Sequence, residues 1–294
     1  MNLPKDYYLR VEGHRIRYWR LGAGPPVVLL HGLGNSVLNW RHNVRALSNR
    51  YTVYAIDLPG HGLSDIPPVL YDLPTGARFL DAFADGVGIE AAHVIGNSMG
   101  GVLAIELALR FPKRVHSIVL IGSAGLGRRL SLLSLRIATL PILGEYVHRP
   151  NRRRLRALID SMLYDPSRMD PEDFEERFGY QSRKGIGRAN LAILRYGVNL
   201  WGQRSAIYRL DRISDIRSPV LLVWGQHDPL FPLAHARAAH ERLPNAKLEL
   251  FEEAGHWPQY EHPDRFNRLV IDFLAAEASE PTTTPMPSNE KQAS

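Results

Sequence analysis

The sequence predicts an α/β protein built on a mostly parallel sheet, with helices on both faces and a long helical insertion. Three observations carry this. Short, continuous apolar runs at residues 27–30, 51–56, 92–95, 115–121 and 219–224 read as strands covered on both faces. Helix-forming stretches alternate with them, which is the mark of βα units. Between about Gly125 and Arg217 the strand pattern stops and helical stretches with breaks replace it.

Taken in order, residues 8–11 and 14–20 alternate in polarity around Glu12-Gly13 and read as an antiparallel hairpin. The run at 27–30 leads into His31-Gly32-Leu33-Gly34-Asn35. Residues 40–47 fit a short amphipathic helix. The strand at 51–56 ends in Asp57-Leu58-Pro59-Gly60-His61-Gly62, and a helix is expected over 75–84. The strand at 92–95 runs into Gly96-Asn97-Ser98-Met99-Gly100-Gly101, followed by helix formers at 102–109 that Phe111-Pro112 stops. Within the insertion, residues 130–137 are apolar and 151–156 strongly basic. Asp170-Pro171-Glu172-Asp173 supplies an N-cap, a proline and first-turn acids, so it starts a helix. Strand pattern resumes at 219–224 and is followed by Gly225-Gln226-His227-Asp228-Pro229. A helix over 233–242, a strand over 247–251, a loop ending in Gly255-His256-Trp257 and a helix over 264–275 complete the core. Residues 277–294 have almost nothing to bury and read as a disordered tail. The expected division is therefore a core of 1–124 and 218–276, a helical cap of 125–217 and the tail.

With 294 residues, 45% hydrophobic and 22% charged, the chain can bury a large core. No apolar run is long enough for a membrane span, and the N-terminus lacks the apolar segment of a secretory signal. The expectation is a cytoplasmic protein with no stable membrane insertion. The absence of cysteine excludes disulfides and thiolate chemistry. The net charge of +6 comes mainly from arginine, and no zinc-finger, dinucleotide or P-loop pattern accompanies it, so no nucleic-acid partner is expected. A solvated helix face is the plain reading of the basic run at 151–156. Attraction of anionic substrates or a membrane surface is the other.

The chemistry centres on Gly96-x-Ser98-x-Gly100. In a strand-to-helix turn this pattern holds a serine hydroxyl at an exposed tip, aimed where a helix N-terminus stabilises negative charge. A serine needs a base, and the base needs an orienting acid. Asp228 and His256 both follow predicted strand ends, and C-terminal strand ends share one edge of a parallel sheet. Ser98, Asp228 and His256 also stand in the chain order that suits this turn. Two backbone donors are needed for an oxyanion, and we expect them to be the N–H groups of Met99 and Leu33. No metal or cofactor is expected.

These motifs identify residues 8–276 as resembling the α/β-hydrolase fold enzymes. The resemblance implies an eight-stranded, mostly parallel sheet with a helical cap inserted after the sixth strand. Within that group, Gly96-Asn97-Ser98-Met99-Gly100-Gly101 and Gly255-His256-Trp257-Pro258-Gln259-Tyr260-Glu261-His262 resemble the meta-cleavage-product hydrolases, which cleave C–C bonds in 2-hydroxy-6-oxo-dienoates. That likeness implies that Trp257 and a cap arginine, for which Arg177 is the nearest match, contact substrate. Gly32, Gly34 and Asn35 are further candidates for substrate contact. The loop His31-Gly32-Leu33-Gly34-Asn35-Ser36 is instead similar to that of many general esterases. The reading carried forward is hydrolysis of a small-molecule ester with a mostly apolar acyl group. C–C hydrolysis is the first alternative, and a ligand receptor on the same fold the second.

Overall fold

The computed structural model describes residues 3–68, 71–243 and 245–279. Eight strands form one sheet: β1 (Asp6–Val11), β2 (His14–Leu21), β3 (Pro26–Leu30), β4 (Thr52–Ile56), β5 (Ala92–Asn97), β6 (Val115–Ile121), β9 (Val220–Gly225) and β10 (Lys247–Phe251). Their order is β1-β2-β4-β3-β5-β6-β9-β10. The pairings of β1 with β2 and of β2 with β4 are antiparallel, and the remainder are parallel. The expected eight-stranded, mostly parallel sheet is therefore present.

Both faces of the sheet are covered, which is why its central strands carry unbroken apolar runs. Val28, Leu30, Val94, Ile118, Leu120 and Leu222 pack on one side with α2 (Leu73–Val87), α3 (Met99–Arg110) and α9 (Leu233–Arg242). Val27, Leu29, Ile95, Val119, Ile121 and Val223 point the other way, toward α1 (Val44–Ser48) and α11 (Pro263–Ser279). Alternate residues of each strand thus feed opposite cores. Local chemistry sets the helix ends. Asp72 caps α2 by accepting from Thr75 N–H at 2.7 Å, and Gly88 ends it in the left-handed conformation.

Between β6 and β9 lie α4 (Leu133–Ile137), α5 (Leu143–Val147), α6 (Arg152–Met162), α7 (Pro171–Gln181) and α8 (Ile186–Gly197). Asn151 caps α6, and Asp170 caps α7 with Pro171 in its first turn. The block also holds a strand pair that the sequence pattern does not signal, β7 (Val198–Asn199) with β8 (Gly202–Gln203). Two residues a side are too few for alternation to show. The helix expected over 40–47 is instead a 3-10 turn, Val37–Trp40, followed by α1. The turn between them holds Asn43, whose buried amide donates to Gln259 O and Asn267 Oδ1. A short α10 (Pro258–Glu261) also follows the His256 loop unannounced. The tail expected at 277–294 lies outside the described residues, apart from its first three, which complete α11.

Packing is close where β5 turns into α3. Ser98 sits at φ 57°, a left-handed backbone that costs a non-glycine residue roughly 1–3 kcal/mol. The helix then starts against β3. A Cβ on Gly100 would stand 2.6 Å from the carbonyl carbon of Leu30 and 2.8 Å from His31 O. Neither backbone can yield without opening the sheet. Gly100→Ala is therefore expected to cost about 3 kcal/mol, the upper range for overpacking. Urea unfolding of the purified variant measures this, and an unchanged midpoint would mean that the approach is not tight.

Candidate active site

Ser98, Asp228 and His256 come together at the C-terminal edge of the sheet, from the ends of β5, β9 and β10. Asp228 follows β9 in a turn that it closes with its own carboxylate. Its Oδ1 accepts from Leu230 N–H at 2.8 Å and Phe231 N–H at 3.0 Å. Its Oδ2 lies 2.8 Å from His256 Nδ1. The two side chains are 1% and 2% exposed, so water does not compete for that contact. Gly122, at φ 46°, ends β6 directly beneath them. A Cβ there would stand 3.0 Å from both Asp228 Oδ2 and His256 Nδ1, so only glycine leaves room for the pair. With Nδ1 occupied by the acid, His256 presents buried Nε2, free of other hydrogen bonds, to the cavity that Ser98 also lines. This arrangement can take a proton from a serine hydroxyl.

The loop after β3 closes over the serine. Asn35 N–H donates to Gly32 O at 3.2 Å, and a Cβ on Gly32 would lie 3.1 Å from Ser98 Cβ. His31 holds this loop from behind. Its Nδ1 lies 2.8 Å from Gly32 O, and its Nε2 accepts from Leu58 N–H at 3.1 Å. Burial lowers the His31 pKa to about 4, so the ring is neutral and can accept at Nε2. Met99 N–H is the first of α3, among the donors that a helix leaves without an internal partner. Gly32, Leu33, Gly34, Asn35, Met99, Arg177 and Trp257 all line the same cavity. Asp228 does not; it stands behind the histidine. The cavity holds about 840 Å³ and runs under α4, α5 and α6, with mostly aliphatic walls.

Arg177 both pairs with Asp173 and lines the cavity. Arg177 is 5% exposed. Nε donates to Asp173 Oδ1 at 3.1 Å, and Nη2 to Asp173 Oδ2 at 3.2 Å and Leu38 O at 3.0 Å. Nη1 donates to Asn35 Oδ1. A guanidinium has five N–H groups, so one on Nη1 stays uncommitted. Arg41 Nη1 also stands 2.9 Å from Asp173, and Tyr260 O–H donates to it at 2.7 Å. Two buried cations thus share one buried carboxylate. Glu176 Oε2, a buried atom, stands 3.7 Å from Arg41 and makes a weaker second ion pair with it. Burial alone would raise the Asp173 pKa; Arg177, the Tyr260 hydroxyl and Arg41 overcome it and hold the carboxyl below its ordinary range.

From Arg177 a chain of amides crosses the floor of the site. Asn35 Nδ2 donates to Asn39 Oδ1 at 2.8 Å, Asn39 Nδ2 to Asn97 Oδ1 at 3.2 Å, and Asn97 Nδ2 to His256 O at 3.3 Å. The last link fixes the backbone of the histidine loop. The opposite side of that loop is held by the helical block, where His256 N–H donates to Met162 O at 2.7 Å. Glu261 ties both strands of this contact. Its carboxylate accepts from Gly255 N–H at 2.8 Å, Tyr164 N–H at 2.6 Å and Asp165 N–H at 3.2 Å. Asn39, Asn97, Asp173 and Glu261 were not among the sequence candidates. The available signal was their polar type beside the motifs: Asn97 within G-x-S-x-G, and Glu261 five residues after His256.

Residues 25–263 match the family model described as alpha/beta hydrolase fold. The chain is 32% identical over 272 residues to a 2-hydroxy-6-oxo-6-phenylhexa-2,4-dienoate hydrolase of Burkholderia cepacia, covering 90% of this chain and 93% of the relative. It is 35% identical over 266 residues to the dihydrolipoyllysine-residue acetyltransferase component of the acetoin cleaving system of Cupriavidus necator, covering 90% and 67%. Among solved structures, the meta-cleavage product hydrolase of Pseudomonas fluorescens IP01 superposes with a TM-score of 0.79 at 30% identity, covering 92% of this chain and 97% of that one.

The Asp173 cluster carries a stability prediction. Asp173→Asn leaves Arg177 and Arg41 buried without their anion and is expected to cost about 3 kcal/mol at neutral pH. The native pKa lies below the unfolded one, so the ionised cluster contributes fully at neutral pH. Its contribution begins to fall below about pH 4 and is lost through the native pKa. Urea unfolding at both pH values should show the gap between parent and variant narrowing in acid. A gap that stays constant would refute the ionised role.

Proposed function

The chain belongs to the α/β-hydrolase family, and from that premise we propose that it hydrolyses a C–C bond beside a carbonyl in a substrate that carries a carboxylate and a long apolar arm, of the 2-hydroxy-6-oxo-dienoate type. Ser98 is the nucleophile, His256 the base and then the acid, and Asp228 the group that orients His256. Leu33 and Met99 N–H receive the oxyanion. Protonation of the departing carbon, or of a departing alkoxide, falls to His256. Water, activated by the same ring, releases the acyl group.

The observation that carries the choice of bond is the buried Arg177. Arg177 shares Asp173 with Arg41 and keeps one N–H uncommitted at the cavity wall beside Asn35. A bound carboxylate would accept from that N–H, and a guanidinium suits it geometrically. Trp257, whose ring lies 5.3 Å from the Arg177 guanidinium, supplies an apolar wall next to it. The aliphatic remainder of the cavity fits an apolar arm. Similarity to 2-hydroxy-6-oxo-dienoate hydrolases over nine-tenths of the chain supports the same reading. The short turn at Gly32–Asn35 and the mostly aliphatic cavity favour ester hydrolysis as a second reading, with the same three residues in the same roles.

Two measurements test this. Ser98→Ala should lower kcat roughly a million-fold, as nucleophile loss does in a serine protease, with unfolding unchanged. More than about a hundredth of the parent rate would place the nucleophile elsewhere. Arg177→Lys keeps the charge but loses the fork. On a 2-hydroxy-6-oxo-dienoate it should cost more than about a hundredfold in kcat/KM, or ~2.7 kcal/mol. On a p-nitrophenyl ester it should cost less than about tenfold. Equal losses, or faster turnover of the ester by the parent enzyme, would favour the ester reading.

A further inference from the structure

The basic run in the helical block has no part in the chemistry above. It flanks the outer end of the cavity, where Leu143, Arg149, Arg154 and Leu158 form the lining between α5 and α6. Beyond that lining, large apolar side chains face solvent. Tyr146 is 56% exposed and Ile142 86%. Ile142 also sits at φ 67°, a region that a β-branched residue rarely adopts. No internal packing of its side chain offsets that strain.

The arginines around this rim are short of partners. From Arg149 to Arg156 the sequence holds five arginines and no acid. Arg152 meets Glu175 and Arg156 meets Asp160. Arg154 turns its guanidinium onto the carbonyls of Tyr146 and Arg149, with the Tyr146 ring 4.9 Å away. Among the described residues, Arg149 and Arg153 have no carboxylate partner. Apolar side chains ringed by uncompensated cations match a lipid interface with negative headgroups. A two-fold pairing of this face with a second copy would instead bring the same arginines against each other.

We propose that this rim docks on an anionic lipid surface. Ile142 and Tyr146 enter the boundary between acyl chains and headgroups, and Arg149 and Arg153 meet the phosphates. The mouth of the cavity then opens onto the phase in which a substrate with a long apolar arm dissolves; this last step rests on the hydrolase reading, whereas the docking does not. No helix among the described residues is long and apolar enough to cross a membrane, so the docking is peripheral.

Co-sedimentation of the full chain with vesicles tests this, using phosphatidylcholine alone or with about a third of phosphatidylglycerol. Binding should require the anionic lipid and weaken with salt. Ile142→Asp, Tyr146→Ser and Arg153→Glu should each lower the partition at least about fivefold, because each removes one interfacial contact. None of them lines the cavity, so kcat/KM on a water-soluble substrate should stay within about twofold of the parent. Equal binding to both vesicle types, variants that bind like the parent, or a dimer that Ile142→Asp dissociates without any vesicle binding would each overturn the proposal. A parent protein that binds vesicles but turns over no soluble substrate would count against the hydrolase reading and leave the docking intact.

Discussion

The contact between Gly100 and the end of β3 is the constraint on which the site depends. It brings the first turn of α3 against the Leu30 and His31 carbonyls. Only then does the β3 loop reach Ser98, so that the serine and the two candidate oxyanion donors share one small volume. The strain at Ser98 is held by its neighbours. Its N–H donates to Ile121 O at 2.9 Å, and its carbonyl accepts from Ala124 N–H at 3.1 Å. The adjoining strand β6 therefore stabilises a turn that the local sequence would not adopt alone.

Buried carboxylates then anchor the loops at the sheet edge. Asp57, after β4, accepts from Val37 and Leu63 N–H and from Arg17. Asp228 accepts from two N–H groups of its own turn, and Glu261 from three across two segments. Burial pushes Asp57 and Glu261 upward in pKa, and the donors around them oppose that push. An acid so surrounded costs less to bury than an unpaired one, and it fixes loop geometry in a way that apolar packing does not. The asparagine chain extends the same logic to the histidine loop.

The fold was legible because covered strands need unbroken apolar runs and because β6, β9 and α9 begin and end at clear breaks. The placement of Ser98, Asp228 and His256 at one sheet edge was legible because they fall at strand ends in a set order. What escaped was whatever depends on partners distant in sequence. Asn39 and Asn97 look like ordinary turn residues until they are seen to be 3.2 Å apart. Asp173 reads as a first-turn acid of α7 one turn before Arg177, but its sharing with Arg41 has no local signature. The shift of the helix at 40–47 has the same origin, since Asn43 answers to residues more than two hundred positions away.

The bond from His256 N–H to Met162 O, with Glu261 spanning both sides, makes the helical block and the histidine loop one mechanical unit at that end. The block cannot be treated as an interchangeable module. A chimera that took this segment from a relative would have to bring a carbonyl to the position of Met162 and N–H groups to those of Tyr164 and Asp165. Otherwise the graft would shift His256 while leaving Ser98, Asp228 and His256 unchanged in its sequence.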